Sequence, residues 1–193
     1  MPPPKPTGGH NYLTAITKIE DQGHLRLVSI IDVEKVLAEI IDYDVKLSDG
    51  VLDEALVSYM PGRKILIVDD SSTARKQVRD TLNQLGIEII EASDGLQALQ
   101  LLQSWADEGR QVADELLMMI TDAEMPEMDG YKLTFEVRND PRMAALFITL
   151  NTSLSGSFNQ AMVEKVGCNK FISKFQPDLL VSVVQDRLRS ILG

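Results

Sequence analysis

From Arg63 onward the chain repeats one unit five times, a short apolar strand followed by a helix-forming stretch. No other feature restricts the fold as much. Five β-α units in succession fit a mainly parallel sheet with right-handed crossovers and helices on both faces. Lys64–Val68 (KILIV) shows no polar alternation, which suits a strand covered on both sides. Ser71 or Ser72 can cap a helix that carries Ala74, Val78, Leu82 and Leu85 on one face and stops at Gly86. Residues 87–91 read as the second strand, and Asp94-Gly95 opens a helix with Leu96, Leu99 and Leu102. Residues 116–121, 145–150 and 169–173 read as strands three to five, with helices over 130–138, near 159–166 and from Pro177 onward. The expectation is a five-stranded, parallel, doubly wound α/β sandwich.

The chain before Arg63 follows another pattern. Residues 1–9 carry four prolines and two glycines and read as a loop or linker. Residues 12–19 and 25–31 read as strands of a hairpin turned by 20–24, and Asp32 caps a short helix with Val33, Val36, Leu37 and Ile40 on one face. Two strands and a helix bury too little apolar surface to stand alone, so the segment reads as the end of a larger β-rich domain. Beyond Tyr43 the chain turns acidic and loses periodicity. The expected division is 1–45 for this partial domain, 46–62 for a linker and 63–193 for the α/β domain.

Charge and composition then exclude several classes. Nineteen Lys+Arg against 29 Asp+Glu leave a formal charge of −10, which disfavours binding to nucleic acid backbones. A single cysteine, Cys168, excludes an internal disulfide and a thiolate metal cluster. The densest apolar run, Leu116 to Ile120, is far short of the ~20 residues of a membrane span, and the N-terminus has no signal-peptide core. A cytoplasmic protein without direct membrane insertion is expected.

Open α/β sheets collect ligands outside the carboxyl ends of their strands. Those ends carry Asp69 and Asp70, then Asp122, then Thr152 and Ser153, then Lys174. Singly, each has an ordinary reading as a helix cap, a turn residue or a surface charge. Jointly they place three carboxylates, hydroxyls and one cation in one crevice. Crowded carboxylates repel and lose hydration unless a cation joins them, and an all-oxygen set suits a hard octahedral ion such as Mg²⁺.

Three blocks in order, KILIVDDS (64–71), TDAEMPEMDG (121–130) and FISK (171–174), resemble a response-regulator receiver domain over about residues 63–193. The resemblance implies a flavodoxin-like fold, a phosphoacceptor at Asp122, and a metal site formed by Asp69, Asp70, Asp122 and the backbone of Glu124. It also implies a switch hydroxyl at Thr152, a phosphate-binding Lys174 and a switch aromatic at Phe171. The N-terminal TGGH (7–10), LTAI (13–16) and IIDV (30–33) look like the last part of a CheW-like coupling domain, and the two together resemble the CheV type of chemotaxis protein. That likeness implies a histidine kinase of the CheA type and chemoreceptor signalling complexes as partners, association with membrane-bound receptor arrays, and a regulatory phosphoacceptor rather than an enzyme acting on other substrates. The sequence departs from the receiver pattern in three places. Phe171 lacks the hydroxyl of the tyrosine common there, Phe175 replaces the usual proline after Lys174, and Glu124 adds a carboxylate by the pocket. An aspartate-nucleophile phosphatase is the rival reading. Such enzymes separate two aspartates by one residue after the first strand, whereas Asp69 and Asp70 are adjacent. A phosphorylation-dead scaffold is the other rival, and the complete residue set argues against it.

Overall fold

The structure is a computed structural model and describes residues 13–21, 24–31, 45–152, 166–174 and 176–193. It divides into two compact units, Met1–Tyr43 and Asp44–Gly193. The helix expected after Asp32 and the one near 159–166 lie outside the described residues, except Val166.

In the first unit β1 (Leu13–Asp21) pairs antiparallel with β2 (His24–Ile31). The pairing continues to Asp21↔His24, so the turn is shorter than 20–24, and the register shifts between Leu13 and Ala15. Leu25 and Leu27 are exposed, at 74% and 72% of their surface. Alternation alone would have placed such side chains against a core.

The second unit carries a five-stranded sheet made of β3 (Lys64–Val68), β4 (Glu88–Ala92), β5 (Met118–Thr121), β6 (Ile148–Thr152) and β7 (Lys170–Ser173). The order is β4-β3-β5-β6-β7 and every pairing is parallel, which is the flavodoxin-like arrangement. Because side chains alternate along a strand, β3 sends Ile65 and Ile67 to one face and Leu66 and Val68 to the other. Helices α2 (Ser72–Asn83) and α6 (Pro177–Leu192) cover the first face; α3 (Gly95–Asp107) and α5 (Gly130–Asn139) cover the second. Ser71 is the cap of α2, its hydroxyl accepting from the Ala74 amide at 3.3 Å.

Two strands start more than one residue later than expected. Val112–Glu115 forms a short helix, α4, and the Leu116 amide closes it by donating to the Val112 carbonyl, so β5 begins at Met118. The amides of Met143 and Ala144 both turn back to the Asp140 carbonyl, which delays β6 to Ile148 and puts Thr152 inside the strand rather than after it.

The stretch expected to be a linker, 46–62, packs on the α/β unit. It includes a short helix, α1 (Glu54–Val57), and its Leu56 and Met60 are buried in one cluster with Leu180, Val184 and Leu188. Polar bonds from α6 fasten it. The Asp53 amide donates to Gln185 Oε1 at 2.6 Å, Gln185 Nε2 returns a bond to the Val51 carbonyl at 3.0 Å, and Arg189 meets Asp53 at 2.9 Å. The Ser48 amide donates to Asp178 at 3.1 Å. We call this stretch the strap.

Candidate functional site

The carboxyl ends of β3, β5, β6 and β7 bring the expected residues together. Asp122 follows β5, and its amide donates to the Val68 carbonyl at 2.8 Å, which levels it with Asp69. One carboxylate oxygen of Asp122 accepts from the Ala123 amide at 2.7 Å; the other meets Lys174 Nζ at 2.8 Å. Lys174 also meets Asp69 at 3.0 Å, and the other Asp69 oxygen accepts from the Ser71 amide at 2.8 Å. Asp69, Asp122 and Lys174 are 3%, 2% and 6% exposed, so this is a buried ion triad and not a surface pairing. The Lys174 amide donates to the Thr152 carbonyl at 3.0 Å, which ties the lysine to the strand that carries Thr152. Thr152 itself is buried.

Asp70 is exposed, and carboxylate oxygens of Asp69, Asp70 and Asp122 lie within 4.8 Å of one another. Burial pushes the Asp69 carboxyl above its ordinary value, although Lys174 and the Ser71 amide pull it down. Three carboxylates share one ammonium, so the formal balance is −2. A divalent cation of the hard, oxygen-seeking kind fits that donor set.

Glu124 is exposed on the loop after β5. Phe171 is half-buried and packs, together with Tyr131 and Cys168, against Ala123 and Leu150. The aromatic therefore belongs to the cluster that includes the residue following Asp122. Burial pushes the Tyr131 phenol up, and Glu124, Asp129 and Asp122 push it the same way. Phe175 lies outside the described residues.

Several residues that shape the site carried no chemical signal in the sequence. A Cβ on Gly130 would run into the Asp122 carbonyl, and one on Gly95 would run into the Met128 carbonyl, to which the Gly95 amide donates at 3.1 Å. The two glycines let α5 and the start of α3 close on the loop 123–129. Their only trace was an Asp-Gly pair at the start of each helix. Arg75 reaches the Asp69 carbonyl at 2.6 Å from one turn into α2, with nothing in the sequence to mark it.

Residues 65–185 match the family described as response regulator receiver domain. The chain belongs to that family. The receiver is similar to the chemotaxis protein CheY1 of Helicobacter pylori, 36% identical over 67% of this chain and 97% of that protein. The match to Chemotaxis protein CheV3 of the same species reaches further, 30% identical over 86% of this chain but only 51% of CheV3. Over the part it spans the chain is of the CheV type, and it spans about half the length of that relative. Among solved structures, the receiver domain of the histidine kinase CKI1 from Arabidopsis thaliana, complexed with Mg²⁺ and BeF₃⁻, superposes with a TM-score of 0.58 at 25% identity, covering 70% of this chain and 95% of that one. No described helix is long and apolar enough to cross a membrane.

Proposed function

We propose that the receiver accepts a phosphoryl group on Asp122 from a phosphohistidine of a CheA-type kinase, and that this adjusts the coupling of chemoreceptors to that kinase. The observation that carries the reading is the buried Lys174 ammonium held between Asp122 and Asp69, at 2.8 and 3.0 Å. A carboxylate so placed is a preformed nucleophile with a cation beside the oxygen that reacts.

As the bond from phosphorus to Asp122 Oδ forms, the phosphorus–nitrogen bond of the donor breaks and the imidazole leaves with its electron pair. Lys174 then turns from carboxylate to phosphoryl oxygen, and Thr152 offers its hydroxyl to a second one. Asp69, Asp70, Asp122 and the Glu124 carbonyl would hold Mg²⁺, the ion named with the related CKI1 domain. When bound, that ion neutralises charge on the transferred oxygens. Water later takes the phosphoryl group and returns the carboxylate. Phe171 has no hydroxyl, so any change relayed from Thr152 travels by packing against Ala123 and Leu150. The protein would work beside receptor arrays on their cytoplasmic side, as a regulator and not as an enzyme for other substrates.

Incubation with phosphorylated CheA-type kinase and Mg²⁺, followed by intact mass measurement, tests the reading. One acid-labile phosphoryl group is expected on the parent and none on Asp122→Asn. An equal gain on both would overturn the assignment.

A further inference from the structure

The sheet has a second end. At its amino edge a cleft of about 330 Å³ lies between the start of β3, α4 and the last turns of α6. Arg63, Lys64 and Arg187 line it. Arg63 and Lys64 are chain neighbours at the start of β3 and Arg187 comes from α6, and none forms an ion pair within the described residues. The Arg63 Nε donates to the Tyr59 carbonyl at 3.3 Å. Arg187 donates from Nε to the Leu117 carbonyl at 3.2 Å and from Nη1 to Ser190 at 3.4 Å, and its guanidinium lies 5.1 Å from the centre of the Phe147 ring. Among the described residues nothing bonds its remaining nitrogen or the Lys64 ammonium. Of the two carboxylates in the cleft, Asp114 faces solvent and Glu115 is held by Arg110 at 2.7 Å. Lys64 acts on Glu115 only through its field, which adds to the pull of Arg110 in lowering that carboxyl.

Three cations with no ion pair of their own meet at one cleft in a chain of net charge −10. An acidic chain has carboxylates to spare, and several arginines elsewhere use them: Arg75 and Arg79 share Glu91, and Arg142 takes both Asp107 and Asp140. Burial also lowers the pKa of Arg187, so its charge is already partly stripped of water. A partly buried guanidinium with a free edge, two further cations and a concave wall including Leu117 and Ile191 are the features by which an oxyanion is recognised.

We propose that this cleft binds a small phosphate-bearing anion, at the end of the sheet opposite Asp122. Its size suits a small molecule better than a peptide, since the volume falls at the low end of small-ligand pockets, about 300–1,000 Å³. The phosphate would pair with Arg63, Lys64 and the free edge of Arg187, and the rest of the molecule would lie against Leu117 and Ile191. The inference does not rest on phosphoryl transfer at Asp122.

Titration of the ¹⁵N-labelled full chain in resin-treated, metal-free buffer tests it. The probes are inorganic phosphate, AMP and hexaglutamate, with sodium chloride at matched ionic strength as control. Saturable amide shifts at Lys64, Leu117 and Arg187 are expected with phosphate and, more tightly, with AMP. Lys64→Gln and Arg63→Gln should each weaken AMP binding about tenfold, as loss of one charge-assisted bond does. Both side chains leave the core intact, so these variants stay informative if Arg187→Gln folds poorly. Asp122→Asn should bind AMP as the parent does. Shifts no larger than those with sodium chloride, shifts confined to the Asp122 end, or binding of hexaglutamate in preference to AMP would each overturn the proposal.

Discussion

The two ends of the sheet treat charge in opposite ways. At the carboxyl edge, Asp69, Asp122 and Lys174 are buried and mutually bonded, with backbone amides taking the spare oxygens. At the amino edge, Arg63, Lys64 and Arg187 are only partly covered and form no ion pair within the described residues. A charge removed from water must be paired, whereas one left at a cleft mouth keeps part of its hydration and can wait for a ligand. The buried end is therefore sensitive to the loss of any one partner. The open end is free to specialise.

Lys174→Met should break this contrast most severely. It leaves two buried carboxylates facing each other, and removing one partner of a buried ion group costs about 3–5 kcal/mol. Urea denaturation should show that loss in metal-free buffer, with partial recovery on adding Mg²⁺, because the uncovered charge is negative. A variant as stable as the parent would mean that the triad is not a structural unit.

Gly130→Ala comes next. Its methyl group has to displace the Asp122 carbonyl, and overpacking of that kind costs about 1–3 kcal/mol, more than the helix propensity gained. Calorimetric melting should register the loss, and the variant should accept phosphate more slowly because the carbonyl and the side chain of Asp122 move together.

A smaller effect concerns pH. Burial raises the folded-state carboxyl of Asp69 above its ordinary 3.8. The folded chain then holds that proton more readily than the unfolded chain, and stability falls as pH rises from 3.8 through the raised value. Asp69→Asn removes this cost, so its stability relative to the parent should improve between acid and neutral pH without metal. Stability curves at several pH values that stay parallel would show that Lys174 fully offsets burial.

Arg63→Gln should do least, within about 0.5 kcal/mol, as expected of a substitution away from core, caps and paired charges. A loss as large as that from Lys174→Met would erase the distinction between the two ends.

Much of the α/β unit was legible because its signals are local. Strand runs, helix spacing and Asp-Gly starts occupy a few adjacent residues, and parallel strands make each strand end point to one edge. That is why residues spread from Asp69 to Lys174 could be assigned to one crevice before any coordinate was known. The strap was not legible. Its docking depends on Asp178 and Gln185 meeting backbone amides 130 and 132 residues earlier, and bonds from side chain to backbone leave no period behind them. The start of β6 was misplaced for a related reason, since carbonyl sharing at Asp140 is invisible in the apolar run 145–150. The role of Gly130 was hidden because a missing methyl group looks the same in a turn and in a tight contact.

The strap has a consequence for the order in which the molecule can be completed. Its polar fastenings to α6 span 130 to 136 residues, so a chain leaving the ribosome exposes Leu56 and Met60 long before Val184, Gln185 and Leu188 have been made. Contacts of such sequence separation are made late, because the intervening loop must first be ordered. Until α6 arrives, part of one face of the sheet stays uncovered, and the nascent chain has a sticky surface that a chaperone can hold. Synthesis halted before Pro177 would thus yield a strap with nothing to clasp, and the last sixteen helical residues decide when the first ones of the unit become secure.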